Sequence, residues 1–330
     1  MHRTDMKQID MYWIDMHCDT LSELMKVKNG NLQENTLCVD IKRLKQIKTA
    51  AQFFACYVNM GDFTGGESVW DRAYERVLSM TDYARKSVGK DFSLAYTAED
   101  IFSAVGKGKV SGILTVEEGG VLNGKPERLE ELYGRGVRLI TLTWNYRNCI
   151  GSPNSREPEV MRQGLTRFGL ETVERMNEMG MIIDVSHLSD GGVYDCIRKS
   201  SVPIVASHSN ARALCPHPRN LTDEMLHALG EKGGVVGVNF YSPFLKERGG
   251  ADISDIARHA AYMTDKAGED AVALGSDLDG FDKDDLPDGI NGIQDMGGLW
   301  AAFEKADITP RQIEKIMYKN AMRVLGEVLK

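Results

Sequence analysis

Ile14-Asp15-Met16-His17-Cys18-Asp19 reads as the end of a buried strand that carries a His-x-Asp pair. Side chains alternate faces along a strand, so residues two apart project the same way. His17 and Asp19 are therefore expected to converge on one point, while Cys18 turns to the opposite face and packs. An imidazole beside a carboxylate suits a borderline divalent cation such as zinc. Alone the pair carries little weight, because a His-x-Asp in a surface turn is common. Its weight comes from other runs that end in the same manner.

Working outward, the first run spans Met11 to Met16, and seven more apolar, β-rich runs follow it. They are Gln52 to Val58 ending at Asn59, Val110 to Val116 ending at Glu117-Glu118, and Val137 to Thr143 ending at Trp144-Asn145. Met181 to Val185 ends at Ser186-His187, and Pro203 to Ala206 at Ser207-His208. Gly234 to Val238 ends at Asn239-Phe240-Tyr241, and Ala271 to Leu274 at Gly275-Ser276-Asp277. Several show little polar alternation, which suits parallel strands buried on both faces.

Between the runs lie helical patterns. Val69 to Val88 is long and amphipathic, and Thr97 precedes Asp100 as an N-cap precedes an N3 acid. Leu165 to Met179 stops at Gly180, and Thr309-Pro310-Arg311-Gln312 opens the last helix with a cap, a proline and an N3 glutamine. Strand and helix alternating eight times predicts an α/β fold, a single (β/α)8 TIM barrel over residues 1–330. An open doubly wound sheet is the alternative, but no Gly-x-Gly-x-x-Gly follows the first run. Gly61 to Gly66 and Lys246 to Asp252 read as loops, and no repeat or linker divides the chain.

Composition narrows the function classes. The 330 residues are 42% hydrophobic and 27% charged, with a net charge of -8 and no basic stripe, which argues against a nucleic-acid partner. No run approaches the ~18 apolar residues of a membrane span. The N-terminal Met1 to Asp10 lacks a signal-peptide pattern and the C-terminus lacks a GPI-type tail, so a cytoplasmic location away from membranes is expected. Six cysteines are scattered without a Cys-x-x-Cys pair and are expected to be reduced.

In a barrel the C-terminal strand ends share one mouth, where the active site lies. His17, Asp19, Glu117, His187, His208 and Asp277 all fall there. Each has an ordinary structural use: a hydrogen-bonded histidine, a helix-start glutamate, a turn aspartate. Six such coincidences in one register are improbable together. His227 and His259 sit in helical patterns as surface or interhelix residues, and His217 stands two before Arg219.

The sequence is similar to the renal, or membrane, dipeptidase family (peptidase family M19) of metal-dependent amidohydrolase barrels. The matching pieces include residues 14–19, Val116-Glu117-Glu118-Gly119-Gly120, Asp184-Val185-Ser186-His187, Ser207-His208-Ser209-Asn210-Ala211, Arg219-Asn220 and Gly275-Ser276-Asp277-Leu278-Asp279-Gly280. They run in family order over nearly the whole chain.

The resemblance implies a metallo-dipeptidase with two zinc ions (Zn2+) per chain. His17, Asp19 and Glu117 would hold one, and Glu117, His187 and His208 the other, with Glu117 bridging. It implies a metal-bridging hydroxide as nucleophile, with Asp277 and Glu117 as catalytic carboxylates and Asp277 moving the proton to the leaving amine. Arg219 matches a residue that holds the carboxyl end of a dipeptide substrate, and Tyr241, with Asn239, would line the pocket. Trp144 stands where the mammalian pattern has a histidine, and Asn145, Arg147 or Asn148 could compensate. A homodimer is implied as well. The alternatives are an amidohydrolase acting on another carboxylate-bearing amide, lactam or lactone, and a non-catalytic metal-binding barrel. The presence of Asp277 argues against the last, since metal storage needs no proton carrier.

Overall fold

Each of the eight apolar runs forms a parallel strand. In the computed structural model, which describes residues 12–66 and 68–330, these are β1 (Trp13–Asp15), β2 (Thr49–Tyr57), β3 (Val110–Glu117) and β4 (Val137–Thr141). They continue with β5 (Ile182–Asp184), β6 (Val205–Ala206), β7 (Val235–Val238) and β8 (Val272–Leu274). Every strand pairs with its chain neighbours, and β1 pairs with β8 through Asp15 and Leu274, so the sheet closes on itself. This is the (β/α)8 barrel. Met1 to Asp10, Met11 at the start of the first run, and His2 lie outside the described residues.

The near-continuous apolar strands fit this closure because both faces are covered. Each strand sends at least one residue into a single packed cluster, among them Ile14, Phe53, Ile113, Leu139, Ile182, Val205, Val235 and Ala273. Met322, Val324, Leu325 and Val328 of the last helix pack into the same cluster. Alternate positions, such as Phe54, Leu114, Ile140, Ile183, Val236 and Leu274, belong to the second cluster, which faces the helices. Burying side chains of this size contributes roughly 1.5–3 kcal/mol each.

Local signals set the helix ends. Val69–Lys86 follows β2, and Arg167–Met179 stops at Gly180 with φ +73°. Thr97 and Thr309 both close reciprocal capping boxes, with Asp100 and Gln312. Two features depart from the sequence reading. A short extra strand, Phe92–Leu94, pairs with the first half of β3, below the point where β4 joins it. The last helix is interrupted by a π-helical stretch at Lys315–Lys319, after which Asn320 Nδ2 donates to the carbonyls of Glu269 and Val272 at 2.9 and 2.8 Å. No described helix is long and apolar enough to cross a membrane.

Candidate metal centre and active site

Glu117 ends β3 and turns its two carboxylate oxygens to different partners. Oε2 lies 3.3 Å from His17 Nε2, whereas Oε1 lies 3.0 Å from His187 Nε2 and 3.5 Å from His208 Nε2. His17 Nε2 is also 3.3 Å from Asp19 Oδ2 and 3.7 Å from Asp277 Oδ1. All six strand-end residues named from the sequence therefore meet at one place. Two compact groups, His17 with Glu117 and His208, and His17 with Asp19 and Asp277, have their ligand atoms within 4.8 Å of one another.

Backbone geometry aims these side chains. His187 and Asp277 both sit at positive φ, +66° and +61°, a region that non-glycine residues rarely occupy and that clusters at functional sites. Buried carboxylates weld neighbouring strand ends. Asp184 on β5 accepts from Ser186 N, Ser207 N, Ser207 Oγ and Thr141 Oγ1 at 2.6–2.9 Å. Asp15 on β1 accepts from Ser276 N, Ser276 Oγ and Gln52 Nε2 at 2.6–2.8 Å. The first weld sets the residue before His208, the second the residue before Asp277. Glycine is required between them: a Cβ on Gly237 or Gly275 would lie 2.0 or 1.8 Å from the Ser207 carbonyl oxygen.

These contacts also assign tautomers. Ser207 Oγ donates to Asp184, so at 2.7 Å from His208 Nδ1 it can only accept the Nδ1 proton. Asn145 Oδ1, 3.2 Å from His187 Nδ1, likewise accepts a proton there. Both Nε2 atoms are thereby left as lone pairs, 3.0 Å apart and facing Glu117. Both ring nitrogens of His17 and Oδ1 of Asp19 are buried without a hydrogen-bond partner. Lone pairs converging on one another without protons are unfavourable alone and fit divalent cations.

Electrostatics agree. Burial and the nearby Glu117 charge push Asp19 up to about 8. Burial, with the charge of Glu117 opposed by that of His17, pushes Asp277 up to about 6. Burial would raise Glu117 as well, but the charge on His17 holds it well below the carboxylate range. Burial and the Arg219 charge lower His187 to about 4. Carboxylates this crowded and buried ionise together only where positive charge is added.

The adjoining cavity has a volume of about 640 Å³ and is lined by Asp19, Glu117, His187 and Asp277 together with aromatic side chains. Trp144 contacts Tyr57 edge-on with ring centres 5.0 Å apart, and Tyr241 contacts Phe281 and Phe244 at 5.0 and 4.7 Å. Trp144, Asn145 and Tyr241 all reach the cavity, although the Asn145 oxygen is committed to His187. Asn239, expected on the wall, instead stands behind Asp277 and donates to its Oδ2 at 2.8 Å. Arg219 is only 5% exposed; it donates to Ser209 Oγ at 3.1 Å and the His208 carbonyl at 2.9 Å. Its Nε has no partner.

Sequence reasoning did not pick out Tyr57, Asp184, Ser207, Asp15 or the role of Glu118. Glu118 turns away from the site with φ +102° and accepts from Gly120 N, Trp144 N and Asn148 Nδ2. A buried aspartate inside an apolar run, as in Ile183-Asp184-Val185, was the available signal for Asp184, because such a group must find donors. The six cysteines are free thiols, and Cys18 Sγ donates to the Phe53 carbonyl, away from the site.

The model of the family described as membrane dipeptidase (peptidase family M19) matches residues 2–330. An uncharacterized protein encoded 5' of pqqA in Klebsiella pneumoniae is 34% identical over 268 residues, which are 78% of this chain and 96% of its own. An uncharacterized dipeptidase of Schizosaccharomyces pombe is 32% identical over 303 residues, 86% of this chain and 71% of its own. Among solved structures, a metallo peptidase from Rhodobacter sphaeroides, liganded with a phosphinate mimic of L-Ala-D-Ala, superposes with a TM-score of 0.83 at 26% identity, covering 96% of this chain and 99% of that one.

Proposed function

Because the chain belongs to the membrane dipeptidase family, peptidase family M19, we propose that it is a two-zinc dipeptidase cleaving dipeptides that carry a free C-terminal carboxylate. The observation that carries this reading is Glu117, whose Oε2 faces His17 while its Oε1 faces His187 and His208. His17, Asp19 and Glu117 would hold one ion, and Glu117, His187 and His208 the other. When bound, the ions would acidify a shared water and polarise the scissile carbonyl.

The chain's own residues do the rest. Asp277, with Oδ2 fixed by Asn239 and Oδ1 toward His17, takes the proton of the attacking water and delivers it to the leaving amine. Arg219 does not line the cavity; it uses two of its five N–H donors on Ser209 and His208, its Nε–H is buried, and the two that remain are assigned to the substrate carboxylate. Trp144 and Tyr241, each within its own aromatic group, bound the space for the two side chains of the dipeptide. Asn145 holds His187 in the ligating tautomer.

The test is elemental analysis of protein purified without chelator, paired with hydrolysis of L,L and L,D dipeptides, the second class chosen because the Rhodobacter sphaeroides protein accepts an L-Ala-D-Ala mimic. About two zinc per chain with cleavage of free dipeptides, and little cleavage of carboxyl-blocked ones, is expected. Two metals without dipeptide cleavage would move the function to another amide, lactam or lactone. Absence of bound metal would overturn the reading.

A further inference from the structure

Glu118 lies beside the site without taking part in it. It is fully buried, it occupies a backbone region costly for any residue with a side chain, and its carboxylate points away from the cluster that Glu117 faces. Strained conformations persist where surrounding contacts over-determine them. Here the contacts are specific: Oε1 accepts from Gly120 N at 2.9 Å and Asn148 Nδ2 at 2.6 Å, and Oε2 accepts from Trp144 N at 3.3 Å.

Two of those donors belong to the loop that follows β4. Asn148 also donates to the Leu142 carbonyl and accepts from Ile150 N and Gly151 N, so it pins the far end of the loop. The near end, Trp144, is tied by Glu118. Between them stands Asn145, whose side-chain oxygen meets His187 Nδ1 at 3.2 Å. Farther along the same loop, Asn154 donates from its backbone and side chain to the His187 carbonyl at 2.7 and 3.1 Å. The His187 ring and backbone are thus both held from this loop, and the loop is held by Glu118.

We infer that Glu118 is a positioning residue that clamps the 144–148 loop to the end of β3 and, through Asn145, keeps the His187 imidazole in the tautomer whose Nε2 faces Glu117. The inference rests on the reading of His187 as a metal ligand. A ring whose Nδ1 lost its acceptor would be free to carry the proton on Nε2, where it cannot ligate.

Glu118→Gln is the discriminating variant. The glutamine oxygen can still accept from Gly120 and Asn148. Its amide nitrogen then faces the Trp144 N–H, donor against donor, and releases that tie alone. Zinc release from the loaded protein to a chromogenic chelator is expected to gain one phase at least tenfold faster than in the parent, with the other phase unchanged. Trp144 emission, isolated by subtracting a Trp144→Phe variant, is expected to shift in the metal-free protein too. The dipeptide kcat should fall with KM little changed. Asn145→Leu should reproduce the fast zinc phase without the fluorescence change in the loop. If Glu118→Gln does not fold, Asn148→Ser carries the same measurements, because it unpins the opposite end of the loop. Two unchanged zinc phases and unchanged emission would overturn the inference, as would equal acceleration of both phases. A parent protein that binds no zinc would instead overturn the proposed function.

Discussion

The Nε2 atoms of His187 and His208 lie 3.0 Å apart, and neither has a proton to give the other. On His208 the proton is drawn to Nδ1 by Ser207, itself oriented by Asp184 at 2.6 Å. Partners behind a ligating imidazole typically change metal affinity 10–100-fold when removed. Ser207→Ala should therefore lower zinc affinity by about that factor while Asp184 keeps its contacts to Thr141, Ser186 N and the backbone N of residue 207. Competition against a chelator of known affinity reads this out directly.

Asp277→Asn should separate binding from turnover. The amide retains the size of the carboxylate but cannot accept a proton, and general acid–base groups contribute roughly 10²–10⁴-fold. Zinc content should remain at the parent level while kcat falls by about that factor. Turnover within a fewfold of the parent, at equal zinc content, would remove Asp277 from the proton-carrying role.

The fold was legible because each strand announces its own end: an apolar run stops at a polar residue, and eight such stops follow one another. That periodicity cannot say which of Glu117 and Glu118 faces the site. The reversal comes from a φ of +102° at Glu118, a property of the turn rather than of residue type. The Asp184–Ser207 and Asp15–Ser276 welds were hidden for a different reason. Each joins two strands, and a serine before a histidine or aspartate does not name its partner across the sheet. The strand at Phe92–Leu94 escaped because its three residues pair only with the lower half of β3.

Gly275→Ala tests how tightly the strand ends are packed around His208. The new Cβ would lie 1.8 Å from the Ser207 carbonyl oxygen, a contact with backbone that no rotamer change relieves. Overpacking of this kind costs about 1–3 kcal/mol or more. Thermal stability should drop, and zinc should bind more weakly because the displaced backbone carries His208. Gly326→Ala is the control: that glycine lies in the helix Asn320–Val328 with nothing within 4 Å of a new Cβ. It should raise stability by about 0.5–1 kcal/mol.

His259 links stability to pH at a distance from the metal centre. Its ring is buried between helices, with Nε2 2.9 Å from the Leu245 carbonyl and Nδ1 accepting from Ala211 N at 3.2 Å. Burial lowers it to about 4, against an ordinary value of roughly 6.5 in an unfolded chain. Below pH ~6.5 the unfolded chain binds a proton that the folded protein refuses, so the unfolded state gains. The stability contributed is complete above that pH and is lost as pH falls toward 4, by up to about 1.4 kcal/mol per unit. His259→Gln keeps a donor and an acceptor but has nothing to titrate. Between pH 7 and pH 5 the parent should lose about 2 kcal/mol more than this variant in urea unfolding, since groups common to both cancel. Equal losses in the two proteins would mean that His259 accepts its proton without unfolding.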